Sequence, residues 1–467
     1  MILPLTPQEA YYWSWSRDLA LSYFDHPPLA TFSIWLTTAL LGHSIFSIKL
    51  AAVLWYLGFY IIVAKLVQEM FEDDKLTFWV LIALNASIVF QLYGFVITPD
   101  SPLIFAWAAC MYSLWRLVKT EEAKWWYVAG FFMGLSWLGK YSGIMLVPSV
   151  LMFTLISTRQ RKWLLTPHPY LASIVAIVVF LPVLIWNNQH DWISFAFQGS
   201  RRTSGMDQWE LQFAGELLGT QLFILTPYLF ALVISAVIRY GKQIFHEIED
   251  KLLLLISSGF VTIIFFTLVS FRSLVKMNWL APAYWSFVIL GVHYLLQDPK
   301  RFKRMKWGIA SSYVFLALGI GVVALPDIPL GEGNTWSGWE QAAGEVSAVS
   351  DSLEATGEEN FVYSTNYKAS SLLKFYMDDH PQTFAQNVIN RPALQFDIWG
   401  GTEMLIGQTG ILAVGDRSEY RFEAAMITPY FESVEKYKSI NIRNIDQDVR
   451  TIDIYLCRNY LGIPREP

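Results

Sequence analysis

Along the first two-thirds of the chain, long apolar stretches alternate with short polar segments. They fall at roughly 46–66, 77–97, 102–118, 124–139, 141–157, 170–187, 214–236, 252–271, 278–296 and 307–325. A helix of about 20 apolar residues crosses the hydrocarbon core of a bilayer, and fewer suffice where neighbours shelter it. The pattern predicts an α-helical polytopic membrane protein with about ten spans. A further stretch at 29–42 is apolar but short, and can lie in the interface instead. After Pro326 the pattern changes. Trp339 to Ala355 and Tyr367 to Met377 read as helices, while Phe361 to Ser364, Gly410 to Val414 and Thr451 to Cys457 read as strands. The expected division is a membrane domain over 1–326 and a small C-terminal α/β domain over 327–467.

Composition sharpens that division. Only 16% of the residues are charged, where a soluble chain carries about a quarter. From Asp327 onward there are 21 acidic and 11 basic residues, a net of −10. The whole chain carries −5, so the apolar part carries about +5. Its Lys and Arg are unevenly placed. Alternate loops hold Lys65 and Lys75; Arg116, Lys119 and Lys124; Arg159, Arg161 and Lys162; Arg239, Lys242 and Lys251; and Lys300, Arg301, Lys303, Arg304 and Lys306. The opposite loops hold only Arg17, Lys49, Lys140, Arg201, Arg202, Arg272 and Lys276. Basic loops stay cytoplasmic, so the first loop and the C-terminal domain are expected outside the cytoplasmic membrane. An outside N-terminus without a signal peptide requires either N-out insertion or a span ahead of Met1, and we expect the second. The two cysteines, Cys110 and Cys457, form no ligand spacing and no disulfide framework. The basic residues flank spans, and nothing points to nucleic acid.

Ionisable groups near membrane depth are functional candidates by default, and here they gather on the outer side. In the first loop, Tyr11, Trp15 and Leu19 recur at helical spacing, as on an amphipathic helix lying in the interface plane. Glu9 stands three residues after Thr6, where it either completes a capping box or serves a site. Asp25 and His26 precede Pro27-Pro28, which turn the chain back. In the tight loop Thr98-Pro99-Asp100-Ser101-Pro102, Asp100 either caps the next helix or belongs to a site. Lys140, Arg201, Arg202 and Lys276 are cations on the side that should be poor in them. Each can snorkel to headgroups, but together they suit a phosphate.

These residues lie in runs that resemble a known family. Glu9-Ala10-Tyr11-Tyr12-Trp13 and Tyr23-Phe24-Asp25-His26-Pro27-Pro28-Leu29 resemble the first loop of family 39-like bacterial glycosyltransferases of the GT-C superfamily. Protein O-mannosyltransferases and lipid A aminoarabinose transferases are relatives. The likeness continues through Thr98–Pro102, Gly134–Tyr141, Pro182–Asn187 and Asn278–Ala283, covering about residues 6–290. It implies a GT-C enzyme that moves a sugar from a polyprenyl phosphate to an extracytoplasmic acceptor: lipid A, another glycan, a lipid or a protein hydroxyl. The family's first loop begins with an Asp-Glu pair, whose Asp is the usual candidate base. Here Gln8 stands in place of that Asp. A glutamine amide cannot serve as a base, so either Glu9 or Asp25 takes the role or the protein is catalytically impaired.

The residue assignment follows from chemistry and resemblance together. Glu9, Asp25 and Asp100 form the acidic side of the site, and Lys140, Arg201, Arg202 and Lys276, with His26, face the donor phosphate. A positioned carboxylate and a cation cluster serve single displacement with inversion. No cofactor is required, although two outer carboxylates leave a divalent cation open. Two other classes remain: a non-catalytic binder of lipid-phosphate sugars, suggested by Gln8, and a transporter or flippase. The absence of an internal repeat speaks against a transporter.

Overall fold

The computed structural model describes residues 4–203, 209–245, 248–324, 335–417, 424–444 and 447–463, with the side chains of 200–203, 245, 322–324, 424, 444 and 447–449 left out. The chain divides into two compact units. One comprises Met1–Leu19, Ile34–Phe46 and Ile320–Pro467, and the other Ala20–Ser33 and Ser47–Gly319.

The second unit is a helical bundle, and the described residues of each of the ten apolar stretches are mainly helical. Among the described residues, four helices are long and apolar enough to cross a membrane: Ile45–Phe71, Asp100–Thr120, His168–Gln189 and Asp250–Val269. Two stretches expected as continuous are instead sharply bent. Asp74–Asn85 and Ile88–Phe95 meet at 77°, and the helices on either side of Thr226 meet at 114°. Pro227 drives the second bend, because a proline disfavours helical backbone at the residue before it, and Thr226 sits at φ +71°. In an apolar medium the groups freed at a break must find partners within the protein. Ser87, at the first break, donates to the Ile224 carbonyl at the second (3.2 Å). The Thr226 hydroxyl donates to Ser312 (2.6 Å), and Asn85 is held by Tyr56 and Tyr313 (2.7 and 3.0 Å). The two breaks are thus closed by one another and by their neighbours.

Close packing of two helices comes from small residues. Gly130 and Gly134 of Lys124–Gly139 lie against the backbone of Ala172 and Ala176 in His168–Gln189. A Cβ at Gly130 would stand 2.3 Å from the Ala172 carbonyl oxygen, and one at Gly134 2.5 Å from that of Ala176. This is the small-xxx-small arrangement that lets membrane helices approach. At one end of the bundle the five basic loops are tied together. Arg116 and Lys119 pair with Glu69 and Lys162 with Glu121. Lys251 and Lys75 lie over Phe71 and Phe302, and Arg239 and Arg301 both over Tyr294.

The first unit is built on a five-stranded sheet. Its strands are β1 (Asn360–Tyr363), β2 (Thr383–Phe384), β3 (Thr409–Gly415), β4 (Phe431–Asn444) and β5 (Gln447–Tyr460), in the order β2-β1-β3-β5-β4. β1 is parallel to β2 and β3, while β5 is antiparallel to β3 and β4. Trp339–Ala355 and Tyr367–Tyr376 are helices, as the sequence pattern predicts. β4 escaped the pattern: it is an edge strand, and Lys436, Lys438 and Glu435 interrupt its apolar run. The helix Pro7–Ser16 differs from expectation in its surroundings. Its aromatic stripe does not face an interface plane, because Tyr11 and Trp15 are fully buried. Tyr11 packs on Tyr367 and Phe396, and its hydroxyl accepts from the Gln395 backbone N–H (3.1 Å).

The glycine seam gives a direct test. Gly134→Val forces two backbones apart, and overpacking of this kind costs about 1–3 kcal/mol. The purified protein should unfold at a lower temperature in detergent, and an unchanged melting temperature would remove the seam from the account of the fold.

Candidate functional site

The second unit brings two predicted site residues, Asp100 and Lys140, into direct contact. Asp100 is the first residue of the helix Asp100–Thr120, and its side chain makes no capping bond. Its carboxylate instead receives both oxygen contacts from the Lys140 ammonium, at 2.8 and 2.9 Å. The Asn278 amide donates to Oδ2 at 2.7 Å. Asp100 and Lys140 are only 2% and 5% exposed, so each needs the other: an unpaired charge at such depth costs several kcal/mol.

Local structure explains why these three meet. Lys140 occupies an extended break (φ −158°, ψ 144°) between Lys124–Gly139 and the 3-10 turn Tyr141–Met145. Gly139 lies against the Leu103 backbone, one turn into the Asp100 helix, where a Cβ would stand 3.0 Å from the amide nitrogen. Gly143 allows the next turn to close on Ser136. The Asn278 loop is fixed from beneath: Tyr284 donates to Gln221 (2.6 Å), which donates to the Met277 carbonyl (3.1 Å). The Tyr93 hydroxyl is buried beside Asp100 and Asn278.

Asp25 is 7% exposed. Its carbonyl accepts from Gln198 (2.7 Å), and its carboxylate lies 4.0 Å from the His26 ring. The neighbouring Tyr23 carbonyl accepts from Ser194 (3.1 Å), which pins the loop to the helix Ile193–Thr203. Tyr141, adjacent to Lys140, stands among Ser22, Asn187 and Ser194 and within electrostatic reach of Asp25. The dipeptide Lys140-Tyr141 therefore faces both acidic loops of this unit. The hydroxyls of Tyr141 and Ser22 and the Asn187 carbonyl oxygen are buried together there.

Lys276 is exposed, two positions before Asn278. Arg201 and Arg202 lie in the helix Ile193–Thr203, but their side chains fall outside the described residues. Glu9 belongs to the first unit, where it completes the capping box: Oε2 accepts from both the Thr6 backbone N–H and hydroxyl at 3.0 Å. Asn278, Tyr93 and Gln221 were not singled out from sequence. Only Asn278 carried a signal, as a polar residue in an otherwise aromatic and apolar turn next to Lys276. Among the described residues, no group of three or more His, Cys, Asp or Glu is placed to hold a metal ion.

Comparisons with known proteins agree with this architecture. The family model for dolichyl-phosphate-mannose-protein mannosyltransferases matches residues 25–186. The lipid A galacturonosyltransferase RgtD of Rhizobium johnstonii is 27% identical over 301 residues, 62% of this chain. The matched region spans 61% of that relative's length. In structure the chain is similar to ArnT from Cupriavidus metallidurans bound to undecaprenyl phosphate, with a TM-score of 0.65 at 14% identity, covering 97% of this chain and 94% of ArnT. It is similar, more distantly, to the archaeal oligosaccharyltransferase AglB from Archaeoglobus fulgidus, with a TM-score of 0.53 at 10% identity, covering 88% and 66%. The helical bundle and the small sheet domain thus share the fold of ArnT, and a part of the chain is similar to the protein mannosyltransferase family and to a lipid A galacturonosyltransferase.

Proposed function

We propose that this protein is a glycosyltransferase of the cytoplasmic membrane, taking a sugar from a polyprenyl-phosphate donor and giving it to an extracytoplasmic acceptor. Of the acceptor classes open from sequence, lipid A is favoured by the relative's activity, and the lipid phosphate by ArnT's bound undecaprenyl phosphate. The observation that carries the reading is the buried Asp100–Lys140–Asn278 cluster, with Asp25 within electrostatic reach of the adjacent Tyr141. A bundle that only spanned a membrane would have no use for so costly a group.

In the proposed reaction the acceptor oxygen attacks the anomeric carbon as the bond from that carbon to the phosphate oxygen breaks. The bonding pair leaves with the phosphate, and the hydroxyl proton passes to a carboxylate. One displacement inverts the anomeric centre. Asp25 and Glu9 are the candidate bases. Asp100 acts with Lys140 as one rigid polar unit, whose remaining ammonium N–H faces the donor phosphate with His26, Lys276, Arg201 and Arg202. Phosphate leaves readily, so no general acid is needed. Gln8 favours one rival reading, a protein that binds such a donor without turning it over.

Asp100→Asn should abolish transfer and also destabilise the protein by about 3–5 kcal/mol, because Lys140 is left buried and unpaired. Adding Lys140→Met should restore much of the melting temperature without restoring transfer. Full activity in the double variant would sink the role of the pair. Transfer by purified protein from polyprenyl-phosphate sugars, compared across wild type, Gln8→Asp, Glu9→Gln and Asp25→Asn, tests the base. Wild-type turnover lost in Asp25→Asn or Glu9→Gln identifies the carboxylate that has replaced position 8. Turnover appearing only in Gln8→Asp would instead favour the non-catalytic binder.

A further inference from the structure

The first unit contains a cavity of about 300 Å³, lined by Arg17, Asp18, Lys374, Gln382, Phe396 and Trp399 among others. This volume is at the small end of ligand sites. Its chemistry is mixed in a particular way. Arg17 and Lys374 bring two cations to one space, and neither has a carboxylate within ion-pair distance among the described residues. The Arg17 guanidinium is turned towards the His43 ring instead. Lys374 sits 5.8 Å over the Trp399 ring. Burial and the nearby Arg17 hold its ammonium below the usual lysine range, and Asp18 opposes them only in part. The same cationic neighbour, after burial, keeps His43 below its ordinary value. The space therefore carries an unspent positive potential. The Trp399 indole N–H is buried without a hydrogen-bond partner.

Aromatic rings offer a face to the apolar C–H surface of a sugar, while carboxylate and amide groups bond its hydroxyls. Guanidinium and ammonium groups bind an anionic substituent, and gain most where water is scarce. We propose that this cavity binds a sugar carrying an anionic group, phosphate or carboxylate. Phe396 and Trp399 provide the floor, Arg17 and Lys374 receive the anion, and Asp18 and Gln382 bond the ring hydroxyls. Its assignment to the acceptor of the transfer rests on the function proposed above. The binding itself does not.

The test is equilibrium binding to the full chain in nanodiscs with no donor present. The probes are glucosamine 1-phosphate, glucuronic acid, N-acetylglucosamine and inorganic phosphate. Both anionic sugars should bind at least tenfold more tightly than the neutral sugar and more tightly than phosphate alone. Their relative strength distinguishes the two anions. Arg17→Gln and Lys374→Met should each weaken the anionic sugars about tenfold, and Lys374→Arg should retain them, with unchanged melting temperatures as the control for folding. Equal binding of the neutral sugar, binding of phosphate alone as tight as that of its sugar ester, or indifference to both substitutions would overturn the proposal. Absence of binding in a protein that still transfers sugar would overturn it as well, leaving the transferase reading intact. Binding by a protein that transfers nothing would support the site and count against the transferase.

Discussion

The Asp100–Lys140 pair is the interaction around which one end of the second unit is arranged. Both side chains are almost wholly removed from solvent, and neither can be charged there alone. Several sequence features make sense only as its supports. Gly139 lets the Lys140 segment approach the start of the Asp100 helix, and Asn278 takes up an oxygen that would otherwise be underused. Gln221 and Tyr284 then hold the Asn278 loop in place. A buried ion pair is weak grounds for stability, since burying both charges costs about as much as their attraction returns. What it does secure is position: two charges that cannot separate fix three loops relative to one another.

The same constraint governs the helix breaks. Within an apolar bundle, irregular backbone survives only where its polar groups are satisfied internally. The two bends meet that condition jointly, since the Ser87 hydroxyl at one reaches the Ile224 carbonyl at the other. Asn85, Tyr56 and Tyr313 form a further polar chain beside them. Losing either bend would strand the partner's polar groups, so the bends behave as one feature of the fold rather than two.

Much of this was legible in the sequence because hydrocarbon demands long, uninterrupted signals. The described residues of all ten apolar stretches are mainly helical, and the helix Trp339–Ala355 has the bounds its periodicity gave. What escaped was local or tertiary. Pro227 marks its bend, but the apolar residues on both sides of it drown a single-residue signal. The edge strand β4 is interrupted by lysines and a glutamate, which blunt an edge but also erase its pattern. Tyr11 and Trp15 have the spacing of an interfacial helix, and periodicity alone cannot tell a lipid partner from a protein one. For the site, residue types on the outer loops pointed to Asp100 and Lys140 separately. Their pairing depends on two glycine contacts that no local pattern encodes.

The geometry also bears on which carboxylate replaces the aspartate missing at position 8. Glu9 follows it in sequence, but its Oε2 already accepts two hydrogen bonds from Thr6 that start the helix Pro7–Ser16. To carry a proton on that oxygen, Glu9 would have to give up a cap worth about 0.5–2 kcal/mol. Such a cost would recur in every turnover. Asp25 anchors its own loop through its backbone carbonyl, which takes the bond from Gln198. It also lies within reach of Tyr141, next in sequence to the lysine that holds Asp100. On the transferase reading, a base at Glu9 therefore works against the cap that builds the helix Pro7–Ser16, on which the first loop depends.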